Sequence, residues 1–192
     1  MVNVNWHKGA QAFVDGLASD NPAPGGGAAS AICASTGTAL AMMALSITLK
    51  NKDLSKETKL TLKKSLDNLY NLKEALLENA KADAKAYEQV VSARKLPKTS
   101  KERPIFLQAA LKEAALVPTK CAQDTIKVIE EVGKIENKIS KAILSDVNCA
   151  KEILKTALIC CTENIKANQI YIKDEAFKAD LEKTLTFISK FC

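Results

Sequence analysis

Residues 62–93, LKKSLDNLYNLKEALLENAKADAKAYEQVVSA, decide the fold. Leu62, Leu66, Leu69, Leu76, Tyr87 and Val90 recur at spacings of three, four, seven and eleven, the signature of a long α-helix with one face turned inward. No Gly or Pro interrupts the run. Its predicted start is a cap at Asp53 or Ser55, and its predicted end is near Ala93.

Working outward, the basic loop RKLPKTSKERP follows, and Pro104 suits the first position of a fourth helix reaching Val117. Pro118 either kinks that helix or starts a new one, and helix continues to about Gly133, which suits a C-terminal cap. Ser145 and Asp146 are expected to cap a helix ending near Ile172. Asp174 caps a last helix carrying Phe177, Leu181, Leu185 and Ile188. Towards the N-terminus, Trp6, Ala10, Phe13, Val14 and Leu17 share one side of a first helix, about Trp6 to Ala18. It stops at Ser19-Asp20-Asn21-Pro22. PAPGGG (Pro22 to Gly27) and an uncharged stretch as far as Leu49 come next. No run of alternating β-branched residues is present. The expected fold is all-α, a single-domain bundle of long antiparallel helices over residues 1–192.

The uncharged stretch has the length of a bilayer span, but it is built from Ala, Ser, Thr and Gly with few Leu or Ile, and no aromatic belt flanks it. We read it as the central buried helix, and no membrane partner is expected. The formal charge of +6 is spread mainly as Lys among acidic residues, with Arg only at 94 and 103, so no nucleic-acid partner is expected. Six cysteines occur without a C-x-x-C pair, which points to buried thiols in a reducing compartment and no disulfide frame. One histidine, His7, cannot make a Cys/His zinc site, so no metal is expected. The start, MVNVNWHKGAQ, lacks a basic segment followed by an apolar run. A cytoplasmic location is expected.

Four places could carry chemistry. Gly25-Gly26-Gly27 entering a helix leaves backbone N–H groups beside the positive end of the helix dipole, ready for an anion or a carbonyl oxygen, or else forms a tight turn that lets two helices pack closely. Asp83 lies on the inward stripe with Leu76, Ala80, Tyr87 and Val90. Burial there raises a carboxyl pKa, as a general acid or base requires, unless a salt bridge holds it ionised. Arg94, Lys95, Lys98, Lys101 and Arg103 could attract a carboxylate-rich ligand or form an ordinary solvated loop. Asn164 and Asn168 share a face with Ala157 and Cys161, so their amides either bind a ring with donors and acceptors or link helices. Cys160-Cys161 reads as core packing.

At these same places the sequence resembles the cyclodeaminase/cyclohydrolase family, known as the C-terminal domain of formiminotransferase-cyclodeaminase and as free-standing methenyltetrahydrofolate cyclohydrolases. The matching blocks are FVDGLASDNPAPGGGAASA, ADAKAYEQVVSARKLPK, LKEAALVPTKCA, SDVNCAKEIL and ENIKANQIYIKDEAF. The resemblance implies a helical homodimer that assembles further in some members. It also implies a tetrahydrofolate derivative bound between helices as substrate, with or without a polyglutamate tail, and no cofactor. Asp83 matches the position proposed as the proton donor of the cyclodeaminase. The glycine block, here Pro24, Gly25, Gly26 and Gly27, would form part of the pocket, and we assign Tyr87, Ser145 and Asp146 to the substrate as well. Lys95 and Lys98 are assigned to the glutamate tail, and Asn164 and Asn168 to the pterin. Two departures stand out. The family's Gly-Asn shortly before Ser-Asp is absent, with Glu136-Asn137 farther upstream, and Ala28 replaces the frequent Ser after the glycines.

The implied activity is the cyclohydrolase, methenyltetrahydrofolate plus water to 10-formyltetrahydrofolate, because no formiminotransferase module is visible in the 192 residues. The first alternative is the formiminotetrahydrofolate cyclodeaminase, which releases ammonia and calls for a separate formiminotransferase. The second is a helical dimer that binds folate or another anion without turnover.

Overall fold

The computed structural model describes residues 5–192; the first four residues of the MVNVNWHKGAQ start lie outside the described part. Six α-helices follow in order: α1 Trp6–Ala18, α2 Gly26–Thr48, α3 Lys56–Lys95, α4 Arg103–Ile135, α5 Leu144–Gln169 and α6 Glu175–Ile188. Two 3-10 turns, Glu136–Lys138 and Lys141–Ile143, join α4 to α5. No strand occurs among the described residues.

The four long helices form a ring in which α2 and α4 each pack between α3 and α5. Their register is antiparallel: Ala28 meets Asp83 and Ser35 meets Lys73 across α2 and α3, while Ser30 meets Asn164 and Cys33 meets Ile153 across α2 and α5. Short connections between successive helices impose this up-down order. α2 is the central helix expected from its composition, with Ala31, Ala34, Ala41, Ala44 and Leu45 at 2% exposure or less. Among the described residues it is the one helix long and apolar enough to cross a membrane, at mean hydropathy 1.5, and half of that window is buried inside the bundle. Its small side chains let α5 come close: a Cβ on Gly37 would lie 2.9 Å from Leu154 Cγ and 3.1 Å from the Ala150 carbonyl. Thr38 and Thr48 return their hydroxyls to carbonyls one turn back, at 2.7 and 2.9 Å, so these buried oxygens are satisfied within α2 itself.

Ser55 caps α3 by accepting from the Thr58 amide, and Asp174 caps α6 by accepting from the Phe177 amide, as expected. Several sequence expectations need correction. α4 starts one residue before Pro104 and runs unbroken through Pro118. Gly133 is not its cap, since the helix continues two residues further and passes into a 3-10 turn. Ser145 and Asp146 sit inside the first turn of α5 and Ser145 does not cap it; Asp146 instead places a negative charge near the positive helix end. Tyr87 is 39% exposed rather than inward, because α3 runs on twelve residues past Asp83 to Lys95 whereas α2 begins at Gly26, level with Asp83. The thiols divide: Cys121 and Cys161 are buried, Cys33 and Cys160 half-buried, and Cys149 and Cys192 exposed, all six free.

Candidate functional site

The site is built where α2 begins. Gly25 caps the helix without a side chain, and Gly26 and Gly27 form its first turn. A Cβ on Gly27 would fall within van der Waals contact of the Asp83 carboxyl, so only glycine admits that side chain here. Asp83 Oδ2 accepts a 3.0 Å hydrogen bond from the Ala28 amide. Ala28, which lacks the hydroxyl of the usual Ser, therefore acts through its backbone.

On the other side of the turn, a Cβ on Gly26 would lie 3.2 Å from Asn164 Oδ1. Asn164 Nδ2 donates to the Cys160 carbonyl at 2.8 Å and to Ser30 Oγ at 3.4 Å, and the Ser30 hydroxyl donates to the Gly26 carbonyl at 2.7 Å. Ser30 was missed in the sequence; its signal was its place one turn after Gly26. The result is a narrow polar strip in which a carboxyl and an amide oxygen flank a glycine turn.

Burial pushes the Asp83 carboxyl above its ordinary range, against the opposing pull of the Ala28 hydrogen bond. Among the described residues no lysine or arginine forms an ion pair with it, so the salt-bridge alternative does not hold. A carboxyl raised by desolvation and held by one amide is suited to exchange a proton with a bound molecule.

The remaining expectations scatter. Asn168 Nδ2 donates at 2.8 Å to the Ala114 carbonyl, four residues before Pro118. Pro118 has no N–H to satisfy that carbonyl, so the Asn168 amide replaces the missing helical bond. This is the helix-linking role offered for it by the sequence. Ser145 and Asp146 stand about 28 Å along α5 from Asn164, at the opposite end of the bundle, so within one chain they cannot share a ligand with Asp83. Lys95 and Lys98 are exposed, Lys95 about 18 Å along α3 from Asp83. Pro24 packs against α1: a Cβ on Gly16 would lie 3.3 Å from its Cγ. Among the thiols, the Cys121 hydrogen bond and burial push Cys161 up, and burial pushes Cys33 up, which suits inert core packing. No three His, Cys, Asp or Glu side chains among the described residues gather as a metal site.

A cavity of about 1030 Å³ lies elsewhere, between α3 and α4. It begins at Ala82, one residue from Asp83, but on the neighbouring face of α3, and no α2 or α5 residue lines it.

Residues 9–186 match the family model described as formiminotransferase-cyclodeaminase. The chain belongs to this family. Within it, the chain is 32% identical to a methenyltetrahydrofolate cyclohydrolase of Methylorubrum extorquens, over 91% of this chain and 86% of that protein. It is 28% identical to the formimidoyltransferase-cyclodeaminase of Sus scrofa, over 94% of this chain but only 34% of that longer protein. The crystal structure of a formiminotetrahydrofolate cyclodeaminase from Thermotoga maritima superposes with a TM-score of 0.85 at 27% identity, covering 94% of this chain and 88% of that one. Family membership accords with the all-helical fold, and the glycine turn and Asp83 both fall within the matched span.

Proposed function

We propose that this protein is a cytoplasmic methenyltetrahydrofolate cyclohydrolase in which Asp83 carries the proton. The carrying observation is the Asp83 carboxyl, partly desolvated, without an ion-pair partner among the described residues and fixed by the Ala28 amide against a glycine turn. The likeness to a cyclohydrolase of nearly the same length supports this reaction over its alternatives.

In the reaction, water adds through its oxygen to the cationic methenyl carbon and releases a proton. The bond from that carbon to N5 then breaks as N5 takes a proton, and the added oxygen gives its remaining proton to solvent to become the carbonyl of a formyl group that stays on N10. One carboxyl that accepts the first proton and returns the second serves both steps, with a contribution of about 10²- to 10⁴-fold. The Gly26 and Gly27 amides belong to a helix start, where N–H groups lack intrahelical acceptors, and they suit the oxygen that becomes the formyl carbonyl. Asn164 Oδ1 suits a pterin N–H. Lys95 and Lys98, on the free end of α3 and the turn after it, suit a glutamate or polyglutamate tail by charge.

The cyclodeaminase reading is favoured by the Thermotoga maritima likeness and uses the same carboxyl: the arm nitrogen attacks the formimino carbon and ammonia takes the proton as it leaves. The deciding experiment follows methenyltetrahydrofolate in the near ultraviolet beside an ammonia assay with formiminotetrahydrofolate. Loss of the methenyl absorbance at an enzymatic rate supports the cyclohydrolase, and ammonia release alone replaces it with the cyclodeaminase. Binding of either folate without turnover removes the enzymatic reading.

A further inference from the structure

The chain has two arginines, Arg94 and Arg103, and both stand where α3 ends and α4 begins. Among the described residues every ion pair is made by lysine, and neither arginine has a carboxylate partner. The Arg94 guanidinium lies instead over the ring of Tyr171, 5.8 Å from its centre. Arg103 donates to the Arg94 carbonyl at 3.5 Å, while its buried Nε has no acceptor. The planar guanidinium fork is the side chain best matched to a carboxylate. Two forks without one, in a chain whose lysines find acids throughout, point to an acid that the chain itself does not supply.

Their position relative to the glycine turn gives that acid a distance. Arg94 follows Asp83 by eleven residues, three helical turns, and so shares its face of α3. Tyr171 follows Asn164 by seven residues, two turns, on one face of α5 and just past its end. α2 packs between these two helices and starts only at Gly26. Beyond that start, a cation from one wall meets a ring from the other. The Tyr171 ring stands about 10 Å along α5 from Asn164, and Arg94 turns back towards that height from a Cα about 16 Å along α3 from Asp83. Gln108 of α4 fixes the height: its side chain donates to the Tyr171 carbonyl at 3.1 Å and accepts from the Lys173 amide at 2.7 Å. Tyr171 nevertheless keeps 58% of its surface exposed, so the ring is open to a bound group.

We propose that Arg94, held over Tyr171, is the specificity-determining residue that binds the α-carboxylate of the substrate's first glutamate, an inference that rests on the folate reading of the glycine turn. With the pterin and its one-carbon bridge at Asp83 and Asn164, the phenyl ring, amide and α-carbon that separate N10 from this carboxylate span about 10 Å at ordinary bond lengths. That is the height at which Arg94 and Tyr171 meet. The Tyr171 ring holds the guanidinium in place and offers the phenyl group of the arm an aromatic neighbour. Lys95 and Lys98, further along the chain, are then left for glutamates beyond the first.

The test is titration calorimetry of the full chain with tetrahydrofolate and with tetrahydropteroate, which lacks the glutamate. The native chain is expected to bind tetrahydrofolate about 10- to 100-fold more tightly than tetrahydropteroate. Arg94→Ala should lose that preference while binding tetrahydropteroate as the native chain does, a pattern that general damage to the fold cannot produce. Arg94→Lys should keep only a few-fold preference, because an ammonium has the charge without the fork. Tyr171→Leu should weaken tetrahydrofolate binding roughly 3- to 10-fold by releasing the guanidinium. Equal affinity of the native chain for the two ligands, or an Arg94→Ala variant that still prefers tetrahydrofolate to the native extent, would overturn the assignment. Neither ligand carries a one-carbon group, so the readout is independent of turnover. A chain that binds both ligands equally refutes the Arg94 contact alone, whereas one that binds neither refutes the folate reading with it.

Discussion

Two ends of this bundle bury carboxylates and treat them in opposite ways. Towards the C-terminal half of α4, Asp124 is 2% exposed and has Lys120 Nζ and Lys127 Nζ at 2.8 and 2.9 Å. Nearby, burial works to raise Glu131, but hydrogen bonds from Ser65, Lys134 and Asn68 and the charge of Lys134 outweigh it and hold the carboxyl below its usual range. At the start of α2, Asp83 has one amide and, among the described residues, no ion-pair partner, and burial wins. At the α4 end, lysines one helical turn away neutralise the buried acids. A carboxyl left without that relief, beside a turn that admits no Cβ, is the one fitted to hand over a proton.

The strongest way to break this contrast is Asp83→Asn. It keeps an acceptor for the Ala28 amide and removes the proton, so kcat should fall about 10²- to 10⁴-fold while circular dichroism stays unchanged; native rates in a folded variant would take Asp83 out of the mechanism. Gly27→Ala comes next. The added Cβ displaces the Asp83 side chain, and turnover should drop roughly 10- to 100-fold with little change in Tm, because what it meets is a movable carboxyl and not backbone. Asn168→Ala sharpens the contrast from the structural side: it strands the carbonyl freed by Pro118 and should cost about 1–3 kcal/mol in denaturant unfolding, most of it regained in the double variant with Pro118→Ala.

Glu131→Gln should cost about 1 kcal/mol at neutral pH. The Glu131 pKa is depressed on folding, so its contribution is present above the unfolded value and fades as pH falls through the folded one; the gap in Tm should narrow in acid. Asp83 must behave with opposite sign. Its folded pKa is raised, so its contribution is present below the unfolded value and lost as pH rises through the folded one. Asp83→Asn should therefore gain about 1–2 °C in Tm over the native chain between acid and neutral pH, a small effect because the side chain is only half-buried. A melt series showing the same trend for both acids would erase the distinction between the two ends.

Much of this was legible before any coordinates. The ends of α1, a cap for α3 at Asp53 or Ser55, the cap at Asp174, the central α2 and the inward position of Asp83 all follow from spacing and residue type. What periodicity could not give is where each helix stops being covered. Tyr87 lies on the same stripe as Asp83, but α2 has ended by then and leaves the ring in water. Ser145 and Asn164 share one helix, and only the antiparallel register shows that they stand at opposite ends. Pro118 looked like a break because the amide that repairs it sits fifty residues later, at Asn168.

Because α2 begins level with Asp83 while α3 runs twelve residues further, the reacting height and the ridge above it are separate parts. Changes in the 96–102 connection can lengthen, shorten or recharge that ridge without moving the Asp83 carboxyl. A scaffold of this kind lets one chemistry be re-addressed to new molecules by editing a parapet while the foundations stay put.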